Sequence, residues 1–125
     1  MSSPGSTDFE TLDGVILDQL TDKERARSVV YLDQDLRPPG QTQVGGREVQ
    51  FDHRHMMAFI DQQPGANWMH PCRYLLIDPV TSQLISVDAA QPPRFGVLPA
   101  TWRVVWRSPG VADWQLIRIS SSSPE

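Results

Sequence analysis

Between residues 7 and 20 the apolar positions Phe9, Leu12, Val15, Ile16 and Leu20 recur at steps of three, three, one and four. That spacing places them on one stripe of a helix. Thr7 with Glu10, and Thr21 with Glu24, have the spacing of a capping box. Two helical segments are therefore expected over residues 7–32. Gly14 weakens the first, because glycine in a helix interior costs roughly 1 kcal/mol relative to Ala. The second starts well at Asp22-Lys-Glu-Arg-Ala but then meets Val29-Val30-Tyr31-Leu32, a run that suits a buried strand equally. A short helix is the reading adopted, with residues 28–36 open between helix and strand. Arg37-Pro-Pro-Gly40 ends it, and a loop is expected to run on to Gly45-Gly46.

From Arg47 the apolar period changes to two. Val49, Phe51, His53, His55, Met57 and Phe59 share one face of a strand that is continuous to Asp61. Residues 62–67 read as a turn, Cys72 to Ile77 as an almost wholly apolar strand, and Leu84 to Val87 as its hairpin partner across Asp78-Pro79-Val80-Thr81-Ser82. Residues 89–99 hold three prolines and form an irregular crossing. Trp102 to Trp106 and Trp114 to Ile119 are expected to make a last hairpin across Ser108-Pro109-Gly110, with Trp102, Val104 and Trp106 on one face. The sum is an α+β fold, with two N-terminal helical segments followed by a mostly antiparallel sheet of about five strands. Residues 7–119 are expected to form a single domain, between a disordered N-terminus over residues 1–6 and a disordered tail over residues 120–125.

Composition adds exclusions. The net charge of −4 is uneven, since residues 1–66 hold 11 acidic and 6 basic side chains and residues 67–125 hold 4 and 5. A dedicated nucleic-acid binder normally carries a basic footprint, so none is expected here. Arg103 and Arg107 alternate with tryptophans, a pattern of stacking surfaces, but a sheet with one solvated face explains it as well. No apolar run approaches the roughly 18 residues that span a bilayer, no secretory signal is visible, and the sole cysteine has no disulfide partner in the chain. A soluble cytoplasmic protein follows as the expectation, and an exposed final strand leaves a homodimer open.

Two groups of residues carry candidate chemistry. All three histidines and the cysteine fall in two pairs of equal spacing, His53-Arg54-His55 and His70-Pro71-Cys72. Residues two apart on a strand face the same way, so adjacent strands could aim His53, His55, His70 and Cys72 at one zinc ion. The same residues admit a thiol enzyme, with Cys72 as nucleophile, a histidine as base and Asp52, Asn67 or Asp78 as orienter. Against both, the spacing matches no specific metal motif, and Cys72 opens an apolar strand as a packed core residue does. The second group lies in the segment from Pro64 to Tyr74, where Asn67, Trp68, His70, Arg73 and Tyr74 stand around two rigidifying prolines. Trp, Tyr and Arg are the residues most enriched in binding hot spots. The competing explanation is a tryptophan folded over an open sheet end. The favoured expectation is a non-enzymatic accessory domain of bacterial type, without cofactor, that binds a protein partner or small ligand through this loop. The alternative is a small zinc- or cysteine-dependent enzyme.

Overall fold

The structure, a computed structural model, describes residues 8–65, 70–94 and 96–120. Thr7, the expected disordered N-terminus, Asn67, Trp68 and residues 121–125 of the expected disordered tail lie outside the described residues. Ser120, expected in that tail, is described, its N–H donating to the Leu98 carbonyl at 2.7 Å. Helices α1 (Asp8–Asp18) and α2 (Asp22–Arg27) precede strands β1 (Val29–Arg37), β2 (Gly40–Val44), β3 (Arg47–Phe51), β4 (His55–Asp61), β5 (Cys72–Ile77), β6 (Leu84–Ala89) and β7 (Trp102–Arg107). A five-stranded antiparallel sheet runs in the order β6-β5-β4-β1-β7, and β2 with β3 forms a separate two-stranded hairpin. This is the α+β arrangement the periodicity predicts. No helix among the described residues is long and apolar enough to cross a membrane.

Both faces of the sheet are covered, and each cover has its own core. On one face Leu12, Ile16 and Leu20 pack on Val30, Leu32, Ala58, Ile60, Leu75 and Ile77. On the other, Val44 and Phe51 of the β2–β3 hairpin, with Leu98 and Val111, pack on Tyr31, Met57, Phe59, Tyr74 and Leu76. Strands covered on both sides lose the alternation of a half-buried strand and read as unbroken apolar runs.

That loss explains how the open choice over residues 28–36 resolves. Val29 to Leu32 is not the exit of a helix but the start of the central strand β1, paired with β4 through Val29↔Asp61 and with β7 through Val29↔Arg107. α2 stops after six residues at Ser28, held at its start by the expected box: Thr21 N donates to Glu24 Oε1 at 2.9 Å and Glu24 N to Thr21 Oγ1 at 3.1 Å. Residues 40–44, expected as loop, are strand β2, which turns back through Gly45 and Gly46 at φ 57° and 89°. Two successive residues with positive φ make the twist that a two-residue hairpin needs. The expected continuous strand from Val49 to Asp61 breaks at residues 52–54, and its halves join different sheets.

The last hairpin is also corrected. After β7 the chain makes a short 3-10 turn (Asp113–Gln115) and then, among the described residues, forms an isolated parallel bridge between Leu98 and Ile119 in place of a strand ladder. Within β7 the register against β1 slips between Val30 and Tyr31, from Val30↔Trp106 to Tyr31↔Val104. A slip of one residue inverts the facing of everything beyond it. Trp102 therefore packs with the hairpin-side core and Trp106 with the helix-side core, and Val104 is exposed.

Candidate functional site

The register of β4 on β5 decides the fate of the histidine–cysteine cluster. Pairs such as Met56↔Ile77 and Ile60↔Arg73 set His55 at the β5 exit and Cys72 at the β4 exit. The two candidate pairs thus sit at opposite ends of one hairpin, roughly 20 Å apart at about 3.4 Å per residue. His53 Nδ1 lies 3.0 Å from Asp78 Oδ2, and the β6-side turn that Asp78 opens holds this carboxyl below its ordinary range, first through the Val80 N–H and then through His53. His55 is fully buried edge-on to Phe51, its Nδ1–H donating to the His53 carbonyl at 2.8 Å. At the far end the Cys72 thiol donates to the Gln91 carbonyl at 3.4 Å, and burial pushes it up to about 11. Among the described residues no group of three or more His, Cys, Asp or Glu side chains is placed to hold a metal ion. The alternative reading, convergence of His53, His55, His70 and Cys72 on a zinc ion, is not met because two strand-borne pairs meet only when the register aligns them.

The aromatic–polar segment divides likewise. Arg73 is turned to the helices, where Nε and Nη2 grip Glu24 at 3.0 and 2.7 Å, Nη2 also reaches the Gln19 carbonyl at 2.6 Å, and Nη1 reaches Ser86 Oγ at 2.9 Å. Tyr74 is fully buried with its hydroxyl donating to the Gln91 carbonyl at 2.6 Å. Both act as internal struts, and neither lines the cleft described next. His70 is different.

His70 lines a cleft of about 380 Å³ assembled from three stretches that are distant in sequence. One wall is the exit of β4, with Phe59, Asp61 and Gly65; a second is the crossing after β6, with Pro92, Gly96 and Val97; the third is the C-terminal segment from Trp114 to Arg118. The C-terminal wall is fastened at several points. Gln115 Nε2 donates to the Pro64 carbonyl at 3.1 Å, Ile117 N to the Tyr31 hydroxyl at 2.8 Å, and Leu98 N to the Arg118 carbonyl at 2.8 Å. Gly65, at φ 84°, lies under Trp114, whose ring would be 3.0 Å from a β-carbon there. Trp114 itself is 75% exposed and forms an apolar rim with Val97.

The cleft floor is polar. Asp61 ends β4 on the same side of the sheet as Met57 and Phe59, and its side chain is 4% exposed. Desolvation raises its pKa above the ordinary carboxylate value, against the opposing pull of the Gln63 N–H, 3.1 Å from Oδ1, and of nearby His70. His70 Nε2 stands 3.6 Å from Asp61 Oδ1, too far for a direct hydrogen bond. A few convergent polar groups at the base of a largely apolar concavity are the usual makeup of a small-molecule site, and a carboxyl kept in low dielectric marks such sites more often than ordinary surface. Asp61, Trp114 and Arg118 were not among the residues that the sequence singled out. The available signal was Asp61 itself, an acid closing an otherwise apolar strand on its inward-facing register. Comparison with protein-family models, with curated proteins and with solved structures gives no match, so the chemistry of the cleft is the basis for assigning it a role.

Proposed function

We propose that this chain is a binding domain for a small, mostly apolar ligand, held in the cleft between β4, the crossing after β6 and the C-terminal segment. The observation that carries this reading is the Asp61–His70 pair, buried at the base of an apolar cavity large enough for a drug-sized molecule. A concave site of this kind favours a compact ligand over a flat protein surface. Trp68 and Asn67 belong to the stretch between Gly65 and His70, both of which line the cleft, and the proposal keeps them as candidate contacts. The cytoplasm is the proposed location, since a single buried thiol suits a reducing compartment.

The test is amide chemical-shift mapping of the full chain against a library of small aromatic fragments. Saturable shifts concentrated at Asp61, Gly65, His70 and residues 114–118 are the expected result. Fragments that bind elsewhere, or none that bind at all, would remove the proposal.

A further inference from the structure

The base of the cleft also defines which head group it accepts. His70 Nδ1 lies 3.0 Å from the Pro71 carbonyl oxygen, a partner that can only accept, so Nδ1 carries the imidazole hydrogen. In the neutral ring Nε2 is then an acceptor, and it faces Asp61 Oδ1, a second acceptor, at 3.6 Å. With that tautomer and an ionised Asp61, two lone-pair groups face one another with no hydrogen between them. A proton on Nε2 would make them an ion pair, and a bridging donor from a ligand is the alternative. A single nitrogen about 2.8 Å from each would bridge them, provided it brings at least two N–H donors. Positive charge on that nitrogen would also offset the desolvation of the carboxylate. Arg118, exposed at the mouth, disfavours a cation there and so orients the charged end inward. The walls contributed by Phe59, Pro92, Val97, Leu116 and Ile117 accept the apolar remainder.

We infer that the ligand is a primary amine on an apolar, ring-sized body, its ammonium bridging Asp61 Oδ1 and His70 Nε2. This rests on the cleft being a ligand site, and the test separates the two. The full chain is titrated near neutral pH with four molecules of one shape, namely naphthylmethylamine, naphthylmethanol, naphthoate and methylnaphthalene. The expected result is that the amine binds about tenfold or more tighter than the alcohol and the hydrocarbon, as a charge-assisted bridge replaces neutral contacts. Asp61→Asn, checked for an unchanged amide spectrum outside the cleft, should lose that preference and still bind methylnaphthalene. His70→Phe should reduce the preference while Asp61 remains. Equal binding of all four would overturn the ammonium assignment and leave the cleft as an unselective apolar site. Tightest binding of naphthoate would overturn it in favour of recognition by Arg118. Failure of all four to bind would overturn the cleft itself.

Discussion

Replacing Arg73 with methionine removes a charge from the most heavily bonded ion pair in the fold. Its side chain is 14% exposed and that of Glu24 is 6% exposed, so neither is well solvated. Glu24 accepts four hydrogen bonds, from Thr21 N, Gln62 Nε2 and two guanidinium nitrogens of Arg73. The substitution leaves the first two in place and strips the carboxylate of its counter-charge, a change worth about 3–5 kcal/mol for a buried pair. For a chain of this length that is a fall in Tm of about 10 °C or more. The pH dependence carries the reasoning further. Burial opposes ionisation of Glu24 more than any other single influence, yet Arg73, Thr21 and Gln62 together hold its pKa below 4.5. A depressed folded pKa means that Glu24 contributes stability above the unfolded pKa and loses it as pH falls through the folded one. In Arg73→Met burial prevails, the folded pKa rises, and the carboxylate becomes a cost at neutral pH. The deficit measured by urea unfolding should therefore be largest near pH 7 and shrink as pH falls through the variant's raised Glu24 pKa towards the lowered one of the parent. Adding Glu24→Gln should recover part of the loss, since the buried charge is gone. A deficit below about 1 kcal/mol, or one of equal size from acid to neutral pH, would refute the account.

Other perturbations test other parts of the molecule. Asp61→Asn should leave Tm equal or raise it at pH 7, because a carboxyl with a raised folded pKa loses stability as pH climbs through that value; a fall of more than about 4 °C would contradict this. Cys72 should react with an aromatic disulfide at pH 8 at least about a hundredfold more slowly than in urea, since a thiol near 11 is about one part in a thousand thiolate there. The same raised value makes stability decline as pH passes from 9 towards 11, readable as alkaline unfolding followed by circular dichroism. Gly14→Ala, with open space around its β-carbon, should stabilise by about 0.5–1 kcal/mol in thermal unfolding. Gly45→Ala should do the opposite, by about 2 kcal/mol or more, because its β-carbon would lie 2.5 Å from Tyr74 Cε1 and 2.6 Å from Ala89 Cβ.

The parts of the fold legible in the sequence are those whose signal is local. The stripe of Leu12, Ile16 and Leu20 and the Thr21–Glu24 box identify helices, and Asp78 through Ser82 marks the turn between β5 and β6. Misreadings arose where a distant partner decides the outcome. Val29 to Leu32 lacks a period because two different cores claim alternate residues. Gln41 and Gln43 look like loop because β2 turns them outward in a two-stranded sheet. The one-residue slip in β7 separates Trp102 from Trp106, and no turn residue announces it. The cleft follows the same rule. His70 stood out by its company, but Asp61 gains meaning only when β4 exits beside it and Trp114 arrives from some fifty residues further on. The equal spacing of the two His/Cys pairs was a local coincidence that the β4–β5 register does not use.

The C-terminal segment has a consequence for how the cleft opens. Its backbone is joined to the rest by the Leu98 bridge and the Tyr31 hydroxyl, not by a strand ladder. Releasing those few bonds removes one wall while all five strands stay paired, so the segment can exchange its amides through a local excursion far smaller than global unfolding. On the proposed reading, ligand entry is then a peeling motion of this segment. By the same reading, occupancy raises by RT ln(1 + [L]/Kd) every opening that abolishes the cleft, so the amides of Leu98, Ile117 and Ser120 and those of strands that exchange by global unfolding gain the same increment.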